Sequence, residues 1–244
     1  MRIYFTSLGC KLNQAEVEAL ARQALAAGCA VVTDPAAADW AVVNTCTVTH
    51  VAARKSRQAV RALRRRNPAL RIALIGCYAE MAPAEAAALA GVEMVLPNAR
   101  KEEALARLLA LGTAPAPESP PRELPAEARL PGGRTRAWIK IQDGCDNRCA
   151  YCIVTVARGP SHSRPAEEVW AEARHRLAEG YRELVLTGVN IGAYGRDLPG
   201  GRDLAALAGE LLAWPGQWRL RLSSVEPWDL TPALLALWPH PRLC

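Results

Sequence analysis

Twice along its length the chain alternates short runs of β-branched and other apolar residues with stretches of helical period, and a proline-rich segment separates the two series. In the first series, strands are expected at Arg2–Leu8, Cys29–Thr33, Trp40–Thr45, Arg71–Gly76 and Glu93–Leu96. Helices are expected between them at Asn13–Ala27, Val51–Arg66, Pro83–Ala90 and Lys101–Leu111. Strands that alternate with helices build a parallel α/β sheet covered on both faces. Residues 112–134 hold six prolines, show no period and end in Pro131-Gly132-Gly133, which reads as a linker. The alternation then restarts, with strands at Ala137–Ile141, Glu183–Thr187 and Arg219–Ser223. Helices are expected at Pro165–Glu179, capped by Ser163, and at Leu204–Trp214 and Thr231–Trp238. Three such units read as the opening of a (β/α) barrel or half-barrel, stopping at Pro239–Cys244 where a fourth strand would begin. The expectation is therefore an α/β protein of two domains, 1–111 and 135–244.

With 244 residues, half of them apolar, the chain can bury a core without disulfides or metals. No apolar run approaches the roughly 18 residues of a membrane span, and the N-terminus lacks the regions of a signal peptide. A cytoplasmic location, without membrane association, is expected. In that compartment eight cysteines point to metal ligands or catalysts rather than to disulfides.

Cys145, Cys149 and Cys152 follow the first strand of the second series at CxxxCxxC spacing. Three thiolates on one loop suit a four-iron cluster, each on its own iron, and the missing fourth ligand leaves one iron open to a small molecule. The alternative is a zinc knuckle that recruits His162, ten residues on. Cys10, Cys46 and Cys77 are distant in sequence, yet each closes an expected strand, in LGC, NTC and IGC. At the carboxyl edge of a parallel sheet they would meet if their strands are neighbours. Cys29 begins a strand and is read as structural.

GCDNRCAYC resembles the cluster loop of radical S-adenosylmethionine (SAM) enzymes, and TSLGCKLNQAE, VVNTCTVT and IGCYAE resemble the N-terminal domain of the methylthiotransferases among them. KLNQ, TCTVT, LTGVNIGAYG and LSSVEP are similar to the tRNA-acting branch and, more narrowly, to its members that methylthiolate C2 of N6-threonylcarbamoyladenosine beside the anticodon. This resemblance covers essentially the whole chain. It implies an N-terminal open parallel-sheet methylthiotransferase domain followed by an incomplete radical-SAM half-barrel. It also implies two 4Fe-4S clusters: Cys145, Cys149 and Cys152 would hold the one that binds SAM, and Cys10, Cys46 and Cys77 an auxiliary cluster that delivers sulfur. A 5′-deoxyadenosyl radical would abstract the C2 hydrogen of the base, and a second SAM would supply the methyl group. No side chain beyond the cluster ligands is implied as catalytic. Tyr151 would lie near the SAM adenine, although it could equally support the loop. Thr187, Gly188 and Asn190, with Ser223, Ser224 and Glu226, would contact SAM from two strand ends, although each could simply cap a helix or line a turn. Asn13, Gln14 and Asn44 would brace the auxiliary cluster. Partners would be tRNA and a reductant such as flavodoxin or ferredoxin.

The net charge of +6 rests on 26 Arg and 4 Lys against 24 acids, which permits a polyanionic partner without requiring one. Arg158 and Arg164, just after the cluster loop, are the expected RNA contacts near the chemistry. Arg54, Arg57, Arg61 and Arg65 recur at helical spacing and could face tRNA or only solvent. Thr155 and His162 stand where the family usually has Pro and Arg. Family members also continue through the rest of the barrel into an RNA-binding β-barrel, so weak or no activity is expected of this length of chain alone. Alternatives are a methylthiotransferase for isopentenyl-adenosine or a ribosomal-protein aspartate, or a non-catalytic metal-binding module that docks on RNA.

Overall fold

A computed structural model of the chain describes residues 1–111 and 135–244; the linker expected at 112–134 lies outside the described residues. The chain divides into two compact units at Gly132/Gly133.

In the first unit the chain runs β1 (Arg2–Ser7), α1 (Lys11–Ala26), β2 (Ala30–Val32), β3 (Trp40–Thr45), α2 (His50–Arg66), β4 (Arg71–Gly76), α3 (Cys77–Met81), α4 (Pro83–Ala87), β5 (Val92–Leu96) and α5 (Ala104–Leu111). The five strands form a wholly parallel sheet in the order β2-β1-β3-β4-β5. All six residues of β3 are buried, as a central strand covered on both faces requires. Its period of two sorts the cores. Trp40 and Val42 join Ile3, Phe5, Val17, Leu20 and Leu108 on one face, while Ala41 and Val43 join Ile72, Leu74, Val60, Leu63 and Tyr78 on the other. Each such Leu or Ile, fully buried, contributes about 1.5–3 kcal/mol. Cys29 lies in the first of these cores, where burial pushes its thiol up in pKa, as suits an inert apolar residue.

The second unit runs β6 (Arg136–Lys140), β7 (Gln142–Asp143), α6 (Val154–Arg158), β8 (His162–Ser163), α7 (Ala166–Ala178), β9 (Glu183–Thr187), α8 (Leu204–Leu212), β10 (Arg219–Leu222) and α9 (Pro232–Leu235). Strands β6, β9 and β10 form a parallel sheet in chain order, the arrangement with which a (β/α) barrel begins. Ile139, Ile141, Leu184, Leu186, Leu207, Leu211 and Leu220 pack its core with Val169 and Ala173 of α7. Beyond α9, Leu243 bridges Leu220 in parallel, with the Leu220 amide donating to the Arg242 carbonyl at 2.8 Å and the Cys244 amide donating to the Leu220 carbonyl at 2.8 Å. A fourth strand position thus begins beside β10.

One local expectation is corrected. Ser163 does not cap α7, whose N-cap is Pro165 with no side-chain hydrogen bond. Fully buried, its hydroxyl instead accepts the Gly195 amide at 2.9 Å, because β8 turns the residue into the core before the helix starts. Among the described residues no helix is long and apolar enough to cross a membrane.

Candidate metal centres

The order β2-β1-β3-β4-β5 reverses direction between β1 and β3, and ligands of doubly wound sheets bind at the carboxyl ends of the strands at such a reversal. Cys10, Cys46 and Cys77 follow β1, β3 and β4, three adjacent strands whose ends are in register: Ser7 pairs with Asn44, and Thr45 with Gly76. Strand order, which the sequence left open, therefore brings the three residues to one edge.

Two glycines permit the approach. Gly9 has φ +97°, and a Cβ there would stand 2.7 Å from Cys46 Cβ and 2.8 Å from its Sγ. Gly76 has φ +90°, and a Cβ there would stand 2.1 Å from Asn44 Oδ1. Side chains then fix the loops. Buried Asn13 donates through Nδ2 to the carbonyls of Leu8 (2.8 Å) and Thr45 (3.0 Å), joining the ends of β1 and β3. The Cys10 thiol donates to Asn13 Oδ1 at 3.5 Å. Ser56 of α2, fully buried, accepts the Cys46 amide at 3.2 Å and donates to the Cys46 carbonyl at 2.9 Å. Asn98 Nδ2 reaches Cys77 Sγ at 3.8 Å.

Behind this edge lies a buried polar chain. Lys101 Nζ pairs with Glu16 Oε1 at 2.6 Å, both side chains 5% exposed. Asn44 Nδ2 donates to Glu16 Oε2 (2.8 Å) and to the Asn13 carbonyl (3.1 Å). With both amide hydrogens spent there, Asn44 Oδ1 is turned toward Gly76 and, like Gln14 Oε1, is buried without a hydrogen-bond partner among the described residues. Lys101, Glu16, Ser56 and Asn98 escaped the sequence reading. Only Glu16 carried any signal, as a charge between Ala15 and Val17 on a helix.

In the second unit β7 and β8 pair antiparallel, Gln142 with Ser163 and Asp143 with His162, and close the cysteine loop at its neck. The Cys145 amide donates to the Gly159 carbonyl at 3.1 Å, and the Cys152 amide to the Cys149 carbonyl at 3.0 Å. Gly144, at φ +68°, crosses so tightly that a Cβ would meet the Pro160 oxygen at 1.8 Å. Gln142, fully buried and also missed, spans the neck. Its Nε2 donates to the carbonyls of Asp143 (2.8 Å) and Gly144 (2.7 Å) and to Ser161 Oγ (3.0 Å). Its Oε1 accepts the amides of Val189 (3.0 Å) and Asn190 (2.9 Å). A Cβ at Gly188 would press on Gln142 Oε1 at 2.9 Å, which gives that glycine a packing role. One amide side chain thus ties the cysteine loop to the end of β9.

Thr187 and Asn190 are buried there, and Asn190 Oδ1 has no hydrogen-bond partner among the described residues. Ser223 is half-buried at the end of β10, its amide donating to the Leu186 carbonyl at 3.0 Å, while Ser224 and Glu226 are exposed. Arg196 pairs with buried Asp229 and links the segments after β9 and β10. Cys145, Cys149 and Cys152 are half-buried and free, and Tyr151 stands 92% exposed between the last two.

The two arginines expected to meet RNA are engaged otherwise. Arg158, its side chain 3% exposed, pairs with Asp143 at 2.7 Å, and the same carboxylate holds Lys140 at 2.8 Å. Arg164 donates to the Lys140 carbonyl and to Glu172, both at 2.7 Å. Desolvated and already paired, the Arg158 guanidinium braces the loop, and Arg164 anchors α7.

Among the described residues no three His, Cys, Asp or Glu side chains are grouped as a single metal ion needs. A four-iron cluster takes each thiolate at a separate corner and asks for a wider spread. Three thiols at each site, with the fourth iron corner left open, fit such a group.

Residues 2–97 match the family described as Uncharacterized protein family UPF0004, and residues 139–223 match the Radical SAM superfamily. The chain is 38% identical, over 98% of its length, to a threonylcarbamoyladenosine tRNA methylthiotransferase MtaB of Thermotoga maritima, and covers 55% of that protein. It is 33% identical to a ribosomal protein uS12 methylthiotransferase RimO of Desulfosudis oleivorans, over 96% of its length and 56% of the relative. It is 31% identical to a tRNA-2-methylthio-N(6)-dimethylallyladenosine synthase of Carboxydothermus hydrogenoformans, over 98% of its length and 57% of the relative. The chain thus spans about half the length of these curated relatives. Among solved structures, the radical SAM methyltransferase TsrM of Kitasatospora setae shares the fold, with TM-score 0.65 at 14% identity, over 99% of this chain and 58% of that one. A radical SAM domain implies SAM and one 4Fe-4S cluster. With both domains matched in order and a third of its residues shared with such relatives along nearly all of its length, the chain belongs to the radical SAM methylthiotransferase family.

Proposed function

We propose that the chain provides the cluster- and SAM-binding portion of a tRNA methylthiotransferase acting at C2 of N6-threonylcarbamoyladenosine next to the anticodon. The observation that carries this reading is the second set of cysteines: Cys10, Cys46 and Cys77 on three adjacent, registered strand ends. A radical SAM enzyme that only abstracts hydrogen needs one cluster, whereas insertion of sulfur needs a second site to hold it. Cys145, Cys149 and Cys152 would hold the SAM-binding cluster, and the first set would hold the auxiliary one. When bound, these groups supply a hydrogen-abstracting radical and the sulfur, chemistry beyond the reach of acid–base side chains at an aromatic C–H bond.

What the chain's own residues do is position. Gln142 fixes the distance between the cysteine loop and Asn190, whose free Oδ1 would accept an N–H of bound SAM. The Asp143–Arg158–Lys140 cluster stiffens the neck so that the loop keeps one shape. In the first unit, Asn13 and Ser56 hold the Cys10 and Cys46 loops, while Asn98 Nδ2 reaches Cys77 Sγ, and hydrogen bonding around sulfur tunes cluster potential.

The names of the relatives favour the threonylcarbamoyl substrate, since five from Thermotoga maritima, Chlamydia pneumoniae, Bacillus subtilis, Aquifex aeolicus and Rickettsia prowazekii carry it at 30–38% identity. The test is anaerobic incubation of the reconstituted chain with SAM, dithionite and tRNA lacking methylthio groups, followed by mass spectrometry of small molecules and nucleosides. The expected result is 5′-deoxyadenosine, with any methylthio adduct confined to threonylcarbamoyl-adenosine. An adduct on isopentenyl-adenosine, or no 5′-deoxyadenosine, would overturn the reading.

A further inference from the structure

We infer that the solvent face of α2 is an RNA phosphate-docking surface, a claim that rests on the proposed RNA substrate. Between Asp39 and Glu80 the chain contains no acidic residue but eight Lys and Arg, seven of them in α2. A general bias toward arginine does not explain this, because acids are spread through the rest of the chain. Three of the seven have work inside the fold. Arg57 lies over the Tyr78 ring and near Glu85, Arg64 donates to the Leu70 carbonyl at 3.0 Å, and Arg66 pairs with Asp34 at 3.0 Å.

Arg54, Lys55, Arg61 and Arg65 remain, all exposed and, among the described residues, without an ionic partner. At 100° per residue, Arg54, Arg61 and Arg65 fall within about 40° of one line that runs about 16 Å along the helix. Arg65 lies in the last turn, where the helix dipole favours a cation, but Arg54 and Arg61 receive no such benefit. Like charges three and four apart repel and weaken the helix. A partner that supplies phosphates converts the row from a liability into a contact.

Its location suits that partner. α2 starts four residues after Cys46 and is bonded to it through Ser56, so a strand lying on the arginine row would be led toward the Cys10–Cys46–Cys77 edge. An anionic lipid surface would also meet a basic helix. However, the exposed apolar residues on α2 are limited to Val51, with Val48 just before it, too few to insert.

The experiment measures affinity of the reconstituted chain for unmodified tRNA from 50 to 300 mM salt, alongside vesicles of phosphatidylserine and phosphatidylcholine. The variants are Arg54→Ala/Arg61→Ala/Arg65→Ala, the same three positions changed to Lys, and, for comparison charge for charge, Arg54→Ala/Arg61→Ala against the control Arg182→Ala/Arg219→Ala in the other unit. Alanine at exposed helix positions preserves α2. The triple alanine variant is expected to bind tRNA at least about tenfold more weakly at low salt, with the log–log salt slope flatter by about two units. The lysine variant should keep the slope, and the control should keep the affinity. An unchanged slope in the alanine variant, with wild-type binding intact, overturns the surface and leaves the RNA reading standing. Equal losses in the control and in Arg54→Ala/Arg61→Ala, or preference for vesicles, also overturn it. Failure of the wild type to bind tRNA at all removes both.

Discussion

Replacing Gln142 by leucine is the sharpest local perturbation of the second unit. The residue is fully buried and makes five polar contacts of 2.7–3.0 Å, two accepted at Oε1 and three at Nε2, whose two hydrogens are shared among three acceptors. Leucine fills most of the volume but strands every partner. The Gly144 carbonyl and the Asn190 amide are bonded through buried contacts, and each left alone costs about 1–3 kcal/mol. The other three contacts are part-buried and recover some hydration, at about 0.5–1 kcal/mol each. The expected loss is about 4–9 kcal/mol, a large share of the roughly 5–15 kcal/mol of a typical domain. Gln142→Glu separates the two halves of the amide. Its carboxylate can still accept the Val189 and Asn190 amides but faces two carbonyls, so it binds a proton more readily folded than unfolded. Its folded pKa is therefore raised, and the variant regains stability as pH falls and loses it as pH rises through that value. Urea unfolding followed by tryptophan fluorescence reads the effect selectively, because every tryptophan except Trp40 lies in the second unit. A Gln142→Leu variant within 1 kcal/mol of wild type would refute the role assigned to the neck.

Three further outcomes are expected. Gly76→Ala forces a side chain into φ +90° and against Asn44 Oδ1, so the first unit should lose about 3 kcal/mol by denaturant unfolding, and iron held by its cysteines should fall. Lys101→Met leaves Glu16 buried without its cation and should cost about 3–5 kcal/mol, recovered in part by Lys101→Met/Glu16→Gln and also at low pH, where the carboxyl takes up a proton. Tyr194, fully buried with its hydroxyl donating to the Arg164 carbonyl, has its pKa pushed up to about 12, chiefly by burial. Its preference for the protonated state stabilises the fold below the unfolded value near 10 and is lost as pH rises toward 12. Tyr194→Phe should therefore flatten the alkaline limb of the stability curve between those values, and an unchanged limb would contradict that assignment.

The alternation of strands and helices was legible because β3 and β4 are nearly pure apolar runs and each helix carries a buried stripe. The cysteine loop was legible from spacing alone. Strand order was not, since nothing local in β1, β3 and β4 says they are neighbours; the convergence of Cys10, Cys46 and Cys77 depends on the chain reversing its winding after the short edge strand β2. Gln142 was invisible for a related reason: a single glutamine between an apolar strand and an aspartate has no period and no motif, and its five partners lie up to 48 residues away. The ion pairs of Arg158 and Arg164 were not legible, because a cation looks free in sequence when its carboxylate stands fifteen or eight residues off. Ser163 looked like a cap because it precedes a helix, yet the β8 pairing turned it inward.

The central claim is that the chain holds two separate clusters on two sets of three cysteines. Its most direct test is iron and acid-labile sulfide per chain after anaerobic reconstitution. The samples are the wild type, Cys10→Ala/Cys46→Ala/Cys77→Ala and Cys145→Ala/Cys149→Ala/Cys152→Ala. About eight irons in the wild type, falling to about four in either variant, is the predicted result. About four irons lost entirely with one set would contradict the two-cluster account, and bound zinc without iron would contradict the radical chemistry altogether.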